Sequence, residues 1–194
     1  MKKIISRIIR IFNHLGWGGR RNNRVMSSHL YPKDFRRKVY IENVGEILNK
    51  HKYHYISFGL LGTGIEFLGK CINQTENPTW HENTRGLGKR NFDLVLTDLM
   101  TRYSAYKDSY KLCDSLRNGM AHAFQPKNKI ELTHKVEADD RGWIDLTINS
   151  NDRLVIVAEN FYDDFKTACL EVIRRIEANE FDPNGKMYKP FLEV

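Results

Sequence analysis

The chain has 194 residues, 41% of them hydrophobic, 28% charged and 11% aromatic, with a formal net charge of +7. That size fits one compact domain with a tail or two, and a mean hydropathy of −0.55 without an apolar run near 18 residues excludes a membrane-spanning helix. Five prolines and 13 glycines exclude collagen-like or low-complexity character, and three scattered cysteines without a CxxC pair exclude a disulfide scaffold or zinc ribbon.

The charge is unevenly placed. Residues 1–38 hold 11 Lys and Arg against the single acid Asp34, while the remaining 156 residues hold 20 bases and 23 acids. The basic character therefore belongs to the N-terminus, where it attracts polyanions such as nucleic acid or anionic lipid. Ile4, Ile5, Ile8, Phe12 and Leu15 share one helical side, with Lys3, Arg7, Arg10 and Asn13 elsewhere. Arg7 and Arg10 interrupt the apolar stretch and no small-residue cleavage site follows, so it does not read as a secretion signal. Three readings stay open: a helix packed on the body or a partner subunit, an RNA-contacting arm, or peripheral membrane contact through Met1–Leu15. The stretch GWGGRRNNR then reads as a flexible basic linker. Residues 1–30 are thus expected to form a basic amphipathic helix and linker, and 31–194 a helical domain.

Helical spacing begins after Tyr31-Pro32, with Phe35, Val39, Val44, Ile47 and Leu48 marking a helix over Lys33–Lys50. A more apolar helix follows at Tyr53–Ile72, and its glycines at 59, 62, 64 and 69 predict close helix–helix contact. Residues 73–88 read as a loop, followed by helices at Lys89–Ala105 and Lys107–Phe124, the latter closed by Gln125-Pro126. Ile130, Leu132, His134 and Val136 then alternate with Glu131, Thr133 and Lys135, and Ile144, Leu146 and Ile148 alternate with Trp143, Asp145 and Thr147, before Leu154–Val157. That pattern predicts a small antiparallel β-meander at about 129–157. A last helix, Glu159–Ala178, places Phe161, Phe165, Cys169, Val172 and Ile176 on one stripe. The expected fold is mainly α: a helical bundle with a small antiparallel meander before the last helix.

The segment YKLCDSLRNGMAHAFQP (Tyr110–Pro126) carries the chemistry. With Asp114 at 0° on an α-helix, Arg117 lies at about −60°, Asn118 at about 40°, His122 at about 80° and Tyr110 at about −40°. Leu112, Leu116, Gly119 and Ala123 form the opposite, apolar side. Arg117 and His122 are then about 140° apart, so two copies related by a two-fold axis suit a shared phosphate better than one.

The run Arg117-Asn118-Gly119-Met120-Ala121-His122 resembles the R-x(4–6)-H signature of HEPN domains, including a polar residue directly after the Arg. The setting is similar too: a small helical bundle with the motif on a late helix. The resemblance is strict over Tyr110–Pro126 and loose over Tyr31–Ala178. It implies a metal-independent, cofactor-free endoribonuclease, often a cytoplasmic toxin or defence effector, acting as a homodimer with a composite site. It also admits an antitoxin partner such as a small nucleotidyltransferase, and a non-catalytic RNA-binding or protein-interaction module as the alternative function. The chemistry is coherent, since RNA supplies its own 2′-hydroxyl nucleophile. Imidazole titrates near neutrality and can take that proton, and a forked guanidinium stabilises the charge building on phosphate. His122 is the expected base or acid, Arg117 the oxyanion stabiliser and Asn118 their aid, leaving a 2′,3′-cyclic phosphate.

Weaker RNA-binding candidates are Asp114, Tyr110 and the bases Arg85, Lys89 and Arg90 in RGLGKR, which precedes a helix but lacks Walker spacing. Tyr103, Tyr106 and Tyr110 suit either base stacking or cover for the core. His51 and His54 have no nearby Asp, Glu or Cys at metal-ligand spacing, and no metal site is expected.

Overall fold

The structure is a computed structural model and describes residues 36–73, 87–120, 126–178 and 180. The helix and linker expected over 1–30, Arg85 and His122 lie outside the described residues. A π-wound stretch, Arg36–Asn43, runs directly into α1 (Val44–Asn49). Helices α2 (His54–Ile72) and α3 (Leu87–Asp98) follow, then a 3₁₀ segment (Thr101–Tyr106) and a π-helix (Cys113–Gly119). Strand β1 (Ile130–Thr133), α4 (Lys135–Arg141), β2 (Leu154–Val157) and α5 (Ala158–Glu177) complete the order. The architecture is mainly helical with a two-stranded sheet. No described helix is long and apolar enough to cross a membrane.

One core joins the helices. Phe58, Leu61, Ile65 and Leu68 of α2 and Phe92, Val95 and Leu96 of α3 are buried in it. So are Phe161, Phe165, Cys169, Val172 and Ile176, the whole stripe expected on the last helix. Three of the four glycines of α2 sit where another segment comes close, and Gly59 does not. A Cβ at Gly69 would lie 2.0 Å from the carbonyl oxygen of Asn91, one at Gly62 3.0 Å from that of Leu116, and one at Gly64 2.6 Å from the ring of Phe165. All three cysteines are buried free thiols. Arg36, counted with the basic N-terminal segment, is itself wholly buried. Its guanidinium lies 4.8 Å from the ring centroid of Phe67 and contacts Cys71 Sγ, and burial lowers its pKa to about 10.

Two expected helices are interrupted. The helix predicted at Lys89–Ala105 stops at Asp98 and resumes as the 3₁₀ segment. There Tyr103 is fully buried and donates from its hydroxyl to Asp164 Oδ2 at 2.8 Å. The helix predicted from Lys107 is a run of turns up to Lys111, which takes a positive φ of 47°, so regular winding begins only at Leu112.

The antiparallel meander is overturned. β1 and β2 are parallel, in register from Ile130 opposite Leu154 to Thr133 opposite Val157. Two features explain the change. The segment predicted as the end of a strand and a turn is α4, whose first turn is capped by His134 Nδ1 accepting from Glu137 N. Its end is a Schellman motif: Gly142, at φ 65°, donates to Asp139 O, and Trp143 N donates to Ala138 O. A helical crossover of this kind returns the chain parallel to its starting strand. β2 is buried along its whole length, as strands covered on both faces are. Of the predicted middle strand only a short antiparallel contact survives. Ile148 bridges Leu154, and Leu146 N donates to Val155 O at 2.8 Å.

Candidate active site

The π-helix lies against α2 because Gly62 has no side chain to hold the two backbones apart. Leu112, Cys113, Ser115 and Leu116 are buried on its inner side, and Asp114, Arg117 and Asn118 lie at its half-buried edge. Over the described residues 112–119 the apolar back and polar front expected of this segment are present, and His122 and Ala123 lie outside them. Its winding is different. A π-helix bonds i to i+5, so the α-helical angle between Arg117 and His122 does not carry over to it.

Arg117 is held by two bonds. Its Nε donates to Glu66 Oε2 at 2.6 Å and its Nη1 donates to Asn118 Oδ1 at 2.7 Å. Asn118 passes the connection on, its Nδ2 donating to Asp114 Oδ1 at 3.2 Å. Lys127 Nζ stands 3.8 Å from that same carboxylate oxygen. The Glu66 side chain is 10% exposed and that of Arg117 32%, so the acid is anchored in the interior while the base reaches outward. Among the described residues no hydrogen bond engages Nη2 of Arg117. Two Arg and Lys and two carboxylates make this cluster electrically balanced. Long-range attraction for a polyanion must therefore come from bases outside it.

Glu66 was not singled out from the sequence. The signal was present: it is the one carboxylate in the apolar run YISFGLLGTGIEFLGKCI, and a buried charge needs a partner. The first turn of α3 passes next to it, where a Cβ at Gly88 would lie 3.2 Å from Glu66 Oε1. That brings Gly88, at the start of α3, beside the Arg117 pair. Lys89 is tied to Asp93 by a hydrogen bond, which raises its pKa, and stands 3.6 Å from Asp108. Arg90 is exposed. Tyr110 is half-buried beside Tyr106 with centroids 6.1 Å apart, and both pack on the core. Tyr106 also donates to Leu146 O at 3.0 Å. Cys113, adjoining the site, is no nucleophile: burial pushes its thiol up to about 12.

Elsewhere, His51 stacks on Tyr53, whereas His54 meets His134 and Glu159, far from the π-helix. Comparison with protein-family models, curated proteins and solved structures gives no match for this chain.

Proposed function

We propose that the protein is a metal-independent endoribonuclease of HEPN type, acting as a toxin or defence effector. Arg117 and His122 are its catalytic pair, and two protomers complete the site. The observation that carries this reading is the state of Arg117. A buried carboxylate and the neighbouring amide fix its Nε and Nη1, and Nη2 remains for a substrate oxygen. A guanidinium oriented in advance stabilises developing phosphate charge without a reorganisation cost. His122 takes the 2′-hydroxyl proton, the oxygen attacks the adjacent phosphorus, and the 5′-oxygen leaves with a proton returned by imidazole. Asn118 acts here by positioning Arg117. Lys89 is offset by Asp93 and Asp108, so Arg85, Arg90 and the basic N-terminal segment supply most of the attraction for RNA that the balanced Arg117 cluster lacks.

The same bonds favour a second reading. Arg117 tied to Glu66 and Asn118 also serves as a strut between α2 and the π-helix, which suits a non-catalytic RNA-binding or partner-binding module, including one that meets a nucleotidyltransferase antitoxin. Incubation with RNA in EDTA separates the two. The enzyme reading expects cleavage to 2′,3′-cyclic phosphate ends by the wild type and loss of about 10²–10⁴-fold on His122→Ala. RNA affinity without cleavage in both proteins refutes it.

A further inference from the structure

About 18 Å along α2 from Glu66, by helical rise, a second polar cluster forms where three elements begin. His54 opens α2, His134 precedes α4, and Glu159 lies in the first turn of α5. The two imidazoles stack with centroids 4.3 Å apart and planes 16° from parallel, and His54 Nε2 stands 3.8 Å from Glu159 Oε1. One donor atom from each residue lies within 4.8 Å of the other two. All three side chains are half-buried. We propose that His54, His134 and Glu159 bind a divalent transition-metal ion of the Zn²⁺ class, with a solvent molecule as fourth ligand.

The donor set argues for that class. Two imidazoles and one carboxylate suit zinc and its neighbours rather than magnesium or calcium, which take oxygen ligands. Among the described residues His54's ring makes no hydrogen bond, because 3.8 Å is too long for one. His134 uses its Nδ1 to accept the cap bond from Glu137 N, at 3.4 Å. Glu159 is oriented from behind by Lys135 N, which donates to Oε2 at 3.0 Å and leaves Oε1 turned to His54. Such support of a ligating carboxylate is characteristic of metal sites. Glu137 is not a fourth ligand, as Thr133 and Arg141 occupy its carboxylate.

In a tetrahedral zinc site with bonds near 2.0 Å, donor atoms lie roughly 3.3 Å apart. The ion therefore draws the three groups slightly together and turns the stacked ring planes toward one point. The sequence hid this site because its ligands stand 80 and 25 residues apart, and only the parallel β1–β2 pairing brings the starts of α4 and α5 together.

The test uses the untagged full chain, stripped with EDTA and dialysed, titrated with Zn²⁺ and separately with Mg²⁺. Calorimetry is expected to show one Zn²⁺ per chain lost from two variants: Glu159→Gln, and His134→Asn, which keeps a capping side chain. Affinity should fall about 100-fold or more in each. The wild-type Tm should rise by about 5–10 °C at Zn²⁺ a hundredfold above Kd, and Mg²⁺ should leave it unchanged. Absence of Zn²⁺ binding by the folded wild type, or wild-type affinity in both folded variants, overturns the site. RNA cleavage in EDTA is independent of this result, since Arg117 and His122 are no part of the cluster.

Discussion

Two alanine substitutions in α2 should move stability in opposite directions. Replacing glycine by alanine inside a helix is worth about 0.5–1 kcal/mol from propensity alone. At Gly59 the added Cβ meets only Met120 Cβ, at 3.7 Å, an ordinary contact, so the propensity term stands and Gly59→Ala should raise Tm by about 1–4 °C. At Gly69 the Cβ would lie 2.0 Å from the oxygen, 2.4 Å from the carbon and 2.7 Å from the Cα of Asn91. These are backbone atoms of α3, and restoring normal separation forces the helices apart by about 1 Å or more. The buried bond from Asn73 Nδ2 to Asn91 Oδ1, 3.0 Å long, spans the same junction and would be stretched. Overpacking at the upper end of the usual range costs about 3 kcal/mol. After the propensity term, Gly69→Ala should lose about 2 kcal/mol, a fall in Tm of about 4–8 °C. Thermal unfolding followed by far-ultraviolet circular dichroism measures both. A Gly69→Ala variant as stable as the wild type, or more so, would refute the close crossing of α2 and α3, and with it the placement of Glu66 between α3 and Arg117.

Glu66→Gln keeps the size of the side chain and removes its charge. With Arg117 one-third exposed, solvent screening limits the loss to about 1–2 kcal/mol, while RNA cleavage should drop about 10–100-fold as the guanidinium loses its orientation; unaltered kinetics would show that Arg117 needs no such partner. Arg117→Lys retains charge but cannot span Glu66 Oε2 and Asn118 Oδ1 together, so cleavage should fall by at least about 10², and a lysine variant as active as wild type would dismiss the forked geometry. His54 gives the fold a pH dependence in metal-free buffer. Its folded pKa lies below the ordinary 6.5 because of burial and His134, so the folded state holds fewer protons than the unfolded one. Stability from this group is level above about pH 6.5 and declines as pH falls toward the folded pKa. His54→Gln should flatten that part of the Tm–pH curve; an identical slope in the variant would assign the titration elsewhere.

What was legible in the sequence is what periodicity records. The stripe Phe161–Ile176 on α5 and the close contacts at Gly62, Gly64 and Gly69 of α2 follow from spacing and residue size, and both are realised, whereas Gly59 makes only an ordinary contact. The pairing of the strands was not legible. EADDRG reads equally as a turn or as a short helix ending in glycine, and the cap on His134 decides for the helix. Once α4 forms, β1 and β2 must run parallel. The four-residue apolar run Leu154–Val157, without the alternation of a half-exposed strand, was the residue-level clue. At the candidate site, Arg117 and Asn118 were singled out by the resemblance of Arg117–His122 to a known motif, but their partner Glu66 lies 51 residues earlier. Local periodicity cannot join α2 to the π-helix. The breaks at Leu99–Met100 and Lys107–Lys111 arise from tertiary demands, above all the burial of Tyr103 against Asp164, which no helical wheel contains.

The claim that two protomers share one site is tested most directly by mixing two inactive proteins. Arg117→Ala and His122→Ala, co-refolded in equal amounts, are assayed together on RNA in EDTA. If each site joins Arg117 of one protomer to His122 of its partner, half the dimers are mixed and each mixed dimer holds one complete site, restoring about a quarter of wild-type activity. Folded, mixed dimers with no activity above that of either variant alone would contradict the account.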